Sequence, residues 1–171
     1  MQGYTHIYTG NGKGKTTAAL GMALRAAGNG MQVFVAQFVK GKTYSEVHAV
    51  RELLPTVTLV QYGREAFIHG QPGEADIEVA RQGMQEVERI VDSGSYDLII
   101  LDEICIALYF KLIDEARIIR LIEQKPAKTE LILTGRYAPQ SLMDKADLVT
   151  EMQEVKHYYQ QGVQARKGFE F

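Results

Sequence analysis

Only one cysteine, Cys105, stands in the 171 residues, so no disulfide can close within the chain and no cysteine-based metal knuckle can form. With four prolines, the chain has no proline-rich linker at which it would divide, and residues 1–171 are expected to fold as one domain. No stretch of apolar residues is long enough to span a bilayer, which excludes a membrane anchor of that kind. The opening Met1-Gln2-Gly3-Tyr4-Thr5 has no basic region followed by an apolar one, so no secretory leader is expected and the cytoplasm is the expected location. Blocks of basic residues are also missing. The 19 Lys and Arg are scattered among 21 Asp and Glu, for a net charge of -2, whereas nucleic-acid binders usually carry a basic stripe. Nucleic acid is therefore not an expected partner.

What is present is a regular alternation of apolar runs and helical periods. Tyr4–Tyr8, Val33–Val39, Val57–Val60, Leu98–Leu101, Leu131–Leu133 and Leu148–Met152 suit short strands; the nearly unbroken apolar run of Val33–Val39 suits one covered on both faces. Between them lie helical patterns. Thr16–Ala27 closes at Gly28-Asn29-Gly30, and Ser45–Leu54 has Ser45 as a candidate N-cap with Pro55 just beyond. In Glu74–Ser93, residues Ile77, Ala80, Met84, Val87 and Ile90-Val91 fall at three- and four-residue spacings and give one apolar face. Ile113–Glu123 and Pro139–Lys145 are shorter candidates. Strand–helix alternation predicts an α/β three-layer fold, a mainly parallel sheet of about six strands with helices on both faces. Residues 40–75 are the least regular, as segments that line a ligand site often are. The tail to Phe171 shows no period.

The first strand runs into Thr9-Gly10-Asn11-Gly12-Lys13-Gly14-Lys15-Thr16-Thr17. Three closely spaced glycines let the backbone turn its N–H groups toward one point, and the helix that follows adds the positive end of its dipole. Lys15 can neutralise phosphate oxygens and the Thr16 hydroxyl can bind Mg²⁺, which completes a P-loop. Flexibility alone would not ask for Gly-Lys-Thr at a helix start. The position where the usual pattern begins with glycine holds Thr9. A second motif, Leu98-Ile99-Ile100-Leu101-Asp102-Glu103, is an apolar strand ending in two acids, as at the metal-holding strand of P-loop proteins; alternatively Asp102 is the N-cap of a following helix. His6, His48 and His157 have no metal-ligand spacing and read as structural or surface residues, and Cys105 as a small core residue.

Taken together, these stretches resemble the ATP:corrinoid adenosyltransferases of the P-loop type, whose fold is RecA-like. The phosphate loop through Ala18-Ala19 matches that family's variant, Thr9 included. So do Val35-Ala36-Gln37-Phe38-Val39-Lys40-Gly41, Leu101-Asp102-Glu103-Ile104, Leu133-Thr134-Gly135-Arg136 and the tail from Glu154-Val155-Lys156-His157 to Gly168-Phe169-Glu170-Phe171. The resemblance implies transfer of the 5′-deoxyadenosyl group of ATP to the Co(I) of a corrinoid, with triphosphate leaving and the nucleotide bound in reverse relative to other P-loop proteins. It implies ATP contacts from Gly10, Asn11, Gly12, Lys13, Gly14, Lys15, Thr16 and Thr17. Arg25 on the first helix and Arg136 after Thr134-Gly135 are two further candidates, each with a plain surface arginine as its alternative. Thr16, Asp102 and Glu103 are the candidate Mg²⁺ ligands, and Lys15, Thr16 and Glu103 the candidate catalytic residues. Phe67 falls at an aromatic corrinoid-binding position, or is a packed loop anchor. His69 stands where some relatives have tryptophan. The family further implies a homodimer and a reduced flavoprotein as electron donor. Some relatives carry an N-terminal extension over the site; this chain starts almost at its first strand, so a lid is expected from elsewhere or not at all. A P-loop ATPase or small-molecule kinase would use the same loop and acids, a non-catalytic binding module would need only the loop, and a RecA-like motor is disfavoured by the acidic balance.

Overall fold

The computed structural model of the chain describes residues 2–42, 44–64 and 70–170. Its strands are β1 (Thr5–Thr9), β2 (Val33–Phe38), β3 (Val57–Tyr62), β4 (Leu98–Asp102), β5 (Glu130–Thr134) and β6 (Leu148–Glu151). Its helices are α1 (Lys15–Gly28), α2 (Ser45–Leu53), α3 (Glu74–Ser93), α4 (Ile104–Tyr109), α5 (Glu115–Gln124) and α6 (Gln140–Met143), with a 3-10 turn at Tyr158–Gln161. The six strands form one sheet in the order β3-β2-β4-β5-β1-β6, and every pairing is parallel. All strand C-termini therefore meet along one edge, where ligands bind in open α/β sheets.

Alternation along the strands builds two cores, because successive side chains point to opposite faces. Phe34, Ala36 and Phe38 of β2, Ile99 and Leu101 of β4, and Leu131 and Leu133 of β5 pack with Met84 and Val87 of α3 and Ile118 of α5. Val33 and Val35, Leu98 and Ile100, and Ile132 face the other way, onto Ala19 and Ala23 of α1 and Val47 and Val50 of α2. Helices thus cover both faces, as the alternation predicts.

Three local details depart from expectation. Ser45 is the first residue of α2 and not its cap; extended Tyr44 holds the cap position. Helix α4 follows directly after the acidic pair, and its run Ile-Cys-Ile-Ala-Leu-Tyr gives no helical period because Ile104, Cys105, Ala107 and Leu108 are all buried. Helix α5 starts at Glu115 because the Asp114 carboxylate accepts the Ala116 N–H at 3.0 Å. Losing that cap exposes an orphan donor, so Asp114→Ala is expected to lower stability by about 1 kcal/mol. A urea titration with an unchanged slope and a lower midpoint checks it.

Candidate functional site

Four strand ends supply the site. β1 delivers the phosphate loop, β2 delivers Val39 and Lys40, β4 delivers Asp102 and Glu103, and β5 delivers Thr134, Gly135 and Arg136. The loop turns sharply at Gly10, whose φ of 93° is open to glycine and strained for other residues. A Cβ there would also lie 2.4 Å from the Met152 carbonyl oxygen, so the loop packs backbone to backbone on the segment after β6. Thr9, in place of the usual glycine, has a role: its hydroxyl accepts the Ala138 N–H at 3.4 Å, linking β1 to the segment after β5.

Lys15 is largely buried, and its ammonium donates to the carbonyl oxygens of Gly10 at 2.8 Å and Gly12 at 2.7 Å. It ties the loop into a ring. Burial lowers its pKa, an effect opposed by Glu103 and Asp102 and reinforced by Arg136.

Asp102 lies beneath the cavity floor, only 1% exposed, and four side chains donate to it. Thr16 Oγ1 (2.8 Å) and Thr134 Oγ1 (2.7 Å) bond one oxygen; Lys40 Nζ (2.9 Å) and Gln37 Nε2 (3.2 Å) bond the other. The sheet explains two of these partners. Gln37 pairs with Asp102 across β2 and β4, and β5 brings Thr134 between β4 and β1. Glu103 takes a left-handed φ of 58° and turns into the cavity, its N–H donating to Thr134 Oγ1 at 3.0 Å. Burial first, and the Asp102 charge second, raise the Glu103 pKa, against Lys40, Lys15 and Arg136. For Lys40, burial works against its charge, but Asp102 and Glu103 outweigh it and the net shift is upward.

These elements enclose a cavity of about 830 Å³, lined by Asn11 through Thr17, Lys40, Glu103 and Arg136, with Phe110 and Phe169 adding apolar wall. Most of the expected contacts thus converge. Arg25 does not line it: it lies exposed in the last turns of α1, roughly 15 Å along the helix from Lys15, with Nη1 3.7 Å from Met22 Sδ. Phe67 and His69 lie outside the described residues. Asp102 is placed under the floor, while Thr16 and Glu103 reach the open space.

Several participants were not anticipated. Lys40, Gln37 and Thr134 complete the Asp102 cluster; the available signal was a glutamine inside the apolar β2 run. The tail also contributes. His157, Gly168, Phe169 and Glu170 line the cavity. Lys13 Nζ donates to Glu170 (2.6 Å), the Phe169 carbonyl (2.8 Å) and Tyr158 Oη (3.2 Å). His157, read as structural or surface, thus sits at the site. Its Nδ1 accepts the Tyr159 N–H at 3.0 Å.

A divalent cation fits the donor set. The Thr16 hydroxyl and the Glu103 carboxylate are hard oxygen ligands, and a cation already stands nearby: the Lys40 ammonium, 3.2 Å from Thr16 Oγ1. Among the described residues no cluster of three or more His, Cys, Asp or Glu side chains could hold a metal. Mg²⁺ needs none, because it takes one or two protein oxygens and completes its shell with phosphate and water.

Cys105, two residues after Glu103, is fully buried, and burial together with the Glu103 charge pushes its thiol up to about 12. The native protein is expected not to react with a thiol reagent at pH 8, and to take up one equivalent once unfolded in guanidinium. Mass spectrometry of both samples is the check.

Comparison with known proteins adds to this geometry. The family profile described as "ATP:corrinoid adenosyltransferase BtuR/CobO/CobP" matches residues 1–171. A corrinoid adenosyltransferase of Sinorhizobium sp is 35% identical over 173 residues, covering 99% of this chain and 81% of its own. One from Pseudomonas aeruginosa is 34% identical, covering 99% and 84%, and one from Escherichia coli (strain K12) is 33% identical, covering 99% and 86%.

Proposed function

This chain belongs to the family of ATP:corrinoid adenosyltransferases, and on that premise we propose that it transfers the 5′-deoxyadenosyl group of ATP to the Co(I) centre of a corrinoid, in adenosylcobalamin synthesis or salvage. The supporting observation is the cavity itself: the phosphate loop lines it together with Glu103, Arg136, Phe110 and Phe169. In the reaction the cobalt electron pair forms the Co–C bond, the bond from the 5′-carbon to oxygen breaks, and its electrons leave on the triphosphate. No protein nucleophile is required. The residues have to hold the reactants in line and receive negative charge on the leaving group.

Roles follow from position. Backbone N–H groups of the loop from Asn11 to Thr16, other than that of Gly12, which donates to the Met152 carbonyl at 2.6 Å, and the ammonium of Lys15 receive the triphosphate, with Thr17 and Arg136 lining the same cavity. Lys13 reaches the same phosphates if it leaves Glu170. Thr16 and Glu103 would hold Mg²⁺ from the cavity, and Asp102, which accepts from Thr16 through one oxygen, would face the ion with the oxygen that Lys40 now occupies. Mg²⁺, when bound with the nucleotide, would neutralise charge that builds on the leaving triphosphate. Phe67 is proposed as a corrinoid contact, a homodimer as the working form and a reduced flavoprotein as electron donor; family membership supports all three. A cytoplasmic location is part of the same proposal. Among the described residues no helix is long and apolar enough to cross a membrane.

The test is product analysis. Incubation with ATP, Mg²⁺ and a chemically reduced corrinoid should yield intact triphosphate and the absorption spectrum of a Co–C bond. Formation of ADP and phosphate alone would overturn the proposal in favour of an ATPase or kinase.

A further inference from the structure

The geometry points to Lys40 as a tethered cation that holds the divalent-ion position between Thr16 and the Asp102 carboxylate, gives that position up to the metal, and serves as counter-ion to ATP that arrives without one. It rests on the triphosphate site proposed above.

Three observations carry it. The first is location. Lys40 Nζ lies 3.2 Å from Thr16 Oγ1 and 2.9 Å from Asp102 Oδ2, so a single ammonium touches both the loop hydroxyl and the acid of the β4 strand. A P-loop protein places its metal between those two groups.

The second is that this position is built by the backbone. Val39, just before Lys40, adopts a φ of 60°, left-handed and rare for a β-branched residue. Such a conformation costs about 1–3 kcal/mol and survives only where its surroundings enforce it. Here they do. A Cβ on Gly63 would lie 2.4 Å from the Lys40 nitrogen, and one on Gly41 would lie 2.3 Å from the Arg64 carbonyl carbon. The turns after β2 and β3 thus press backbone against backbone, and the Val39 N–H donates to the Tyr62 carbonyl at 3.2 Å. Lys40 is aimed back over the strand ends.

The third is that Lys40 can leave. Its side chain is 17% exposed and lines the same cavity as the phosphate loop, whereas Asp102 is 1% exposed and keeps three other donors. When Lys40 turns away, Asp102 remains bonded. A lysine on its flexible stem can move from carboxylate to phosphate as a compact charge.

Calorimetric titration of ATP into wild type, Lys40→Met and Lys40→Arg, each in excess MgCl₂ and in EDTA, tests this. Wild type should bind ATP in both, more weakly in EDTA. The ratio of the two dissociation constants should grow by about thirtyfold in Lys40→Met, the lower range for losing a desolvated charge partner. Lys40→Arg should fall between. An unchanged ratio in Lys40→Met would overturn the role of Lys40, whereas wild type that binds no ATP in either buffer would overturn the phosphate site itself. Should Lys40→Met not fold, Mn²⁺ titrated into wild type and counted by electron paramagnetic resonance decides. Weak binding without nucleotide that tightens strongly with ATP supports the exchange. Tight binding of Mn²⁺ alone overturns it, because Lys40 would not be holding the position.

Discussion

Lys15→Ala is expected to abolish adenosyl transfer, lowering kcat/KM by about three orders of magnitude. The wild-type ammonium does two things at once. It closes the loop through the Gly10 and Gly12 carbonyls, and it presents charge where triphosphate leaves. Removing one preorganised donor from a leaving-group site typically costs about 10²–10³ in rate. Here the loop also loses the strut that holds its N–H groups inward. Lys15→Arg should rescue little, because a planar fork cannot replace a compact ammonium seated between two carbonyl oxygens. The measurement is the rate of Co–C bond formation under anaerobic conditions, with ATP affinity measured alongside. Near wild-type turnover in Lys15→Ala would remove Lys15 from the mechanism.

The second large effect concerns stability. Asp102→Leu is expected to cost about 3–5 kcal/mol, the range for breaking a buried ion pair from one side. Leucine of similar size would leave Lys40, Gln37, Thr16 and Thr134 without their shared acceptor. Asp102→Asn should cost less, because its carbonyl still accepts from the threonines while its amide faces Lys40. Urea unfolding of the three proteins orders them. A loss for Asp102→Leu below about 1 kcal/mol, within the range of an ordinary exposed ion pair, would mean that the cluster is not structurally coupled.

Much of this arrangement was legible in the sequence. Alternating apolar runs gave the sheet and its two faces because strand and helix periods differ, and Glu74–Ser93 matched α3 end to end, its buried stripe running through Ala80, Met84, Val87 and Val91 while Ile77 lies exposed beyond the core. The phosphate loop was legible because its glycines and Gly-Lys-Thr are contiguous. Asp102 and Glu103 were recognisable as a pair, yet sequence could not divide their roles; only the fold sets one under the floor and the other at the cavity. Lys40 and Thr134 escaped notice as single residues since their importance arises from strand order, which places β5 between β1 and β4 and β2 beyond them. The tail had no period because it is held by individual polar contacts, such as Lys13 on Glu170, and not by a buried face. Arg25 is the converse: only the resemblance pointed to it, and it lies exposed in the last turns of α1, outside the lining of the cavity.

The left-handed backbone at the rim bears on how this protein can be improved or can drift. Val39, Glu103 and Tyr137, with φ of 60°, 58° and 61°, end or follow β2, β4 and β5 at the same edge of the sheet. Glycine or asparagine would relax each of them, and selection for heat resistance alone would be drawn to such positions. Substitutions gathered there in a thermostability screen are therefore expected to come at the expense of turnover, and a campaign seeking both properties does better to leave the rim unchanged and work on the helix caps and exposed faces far from it.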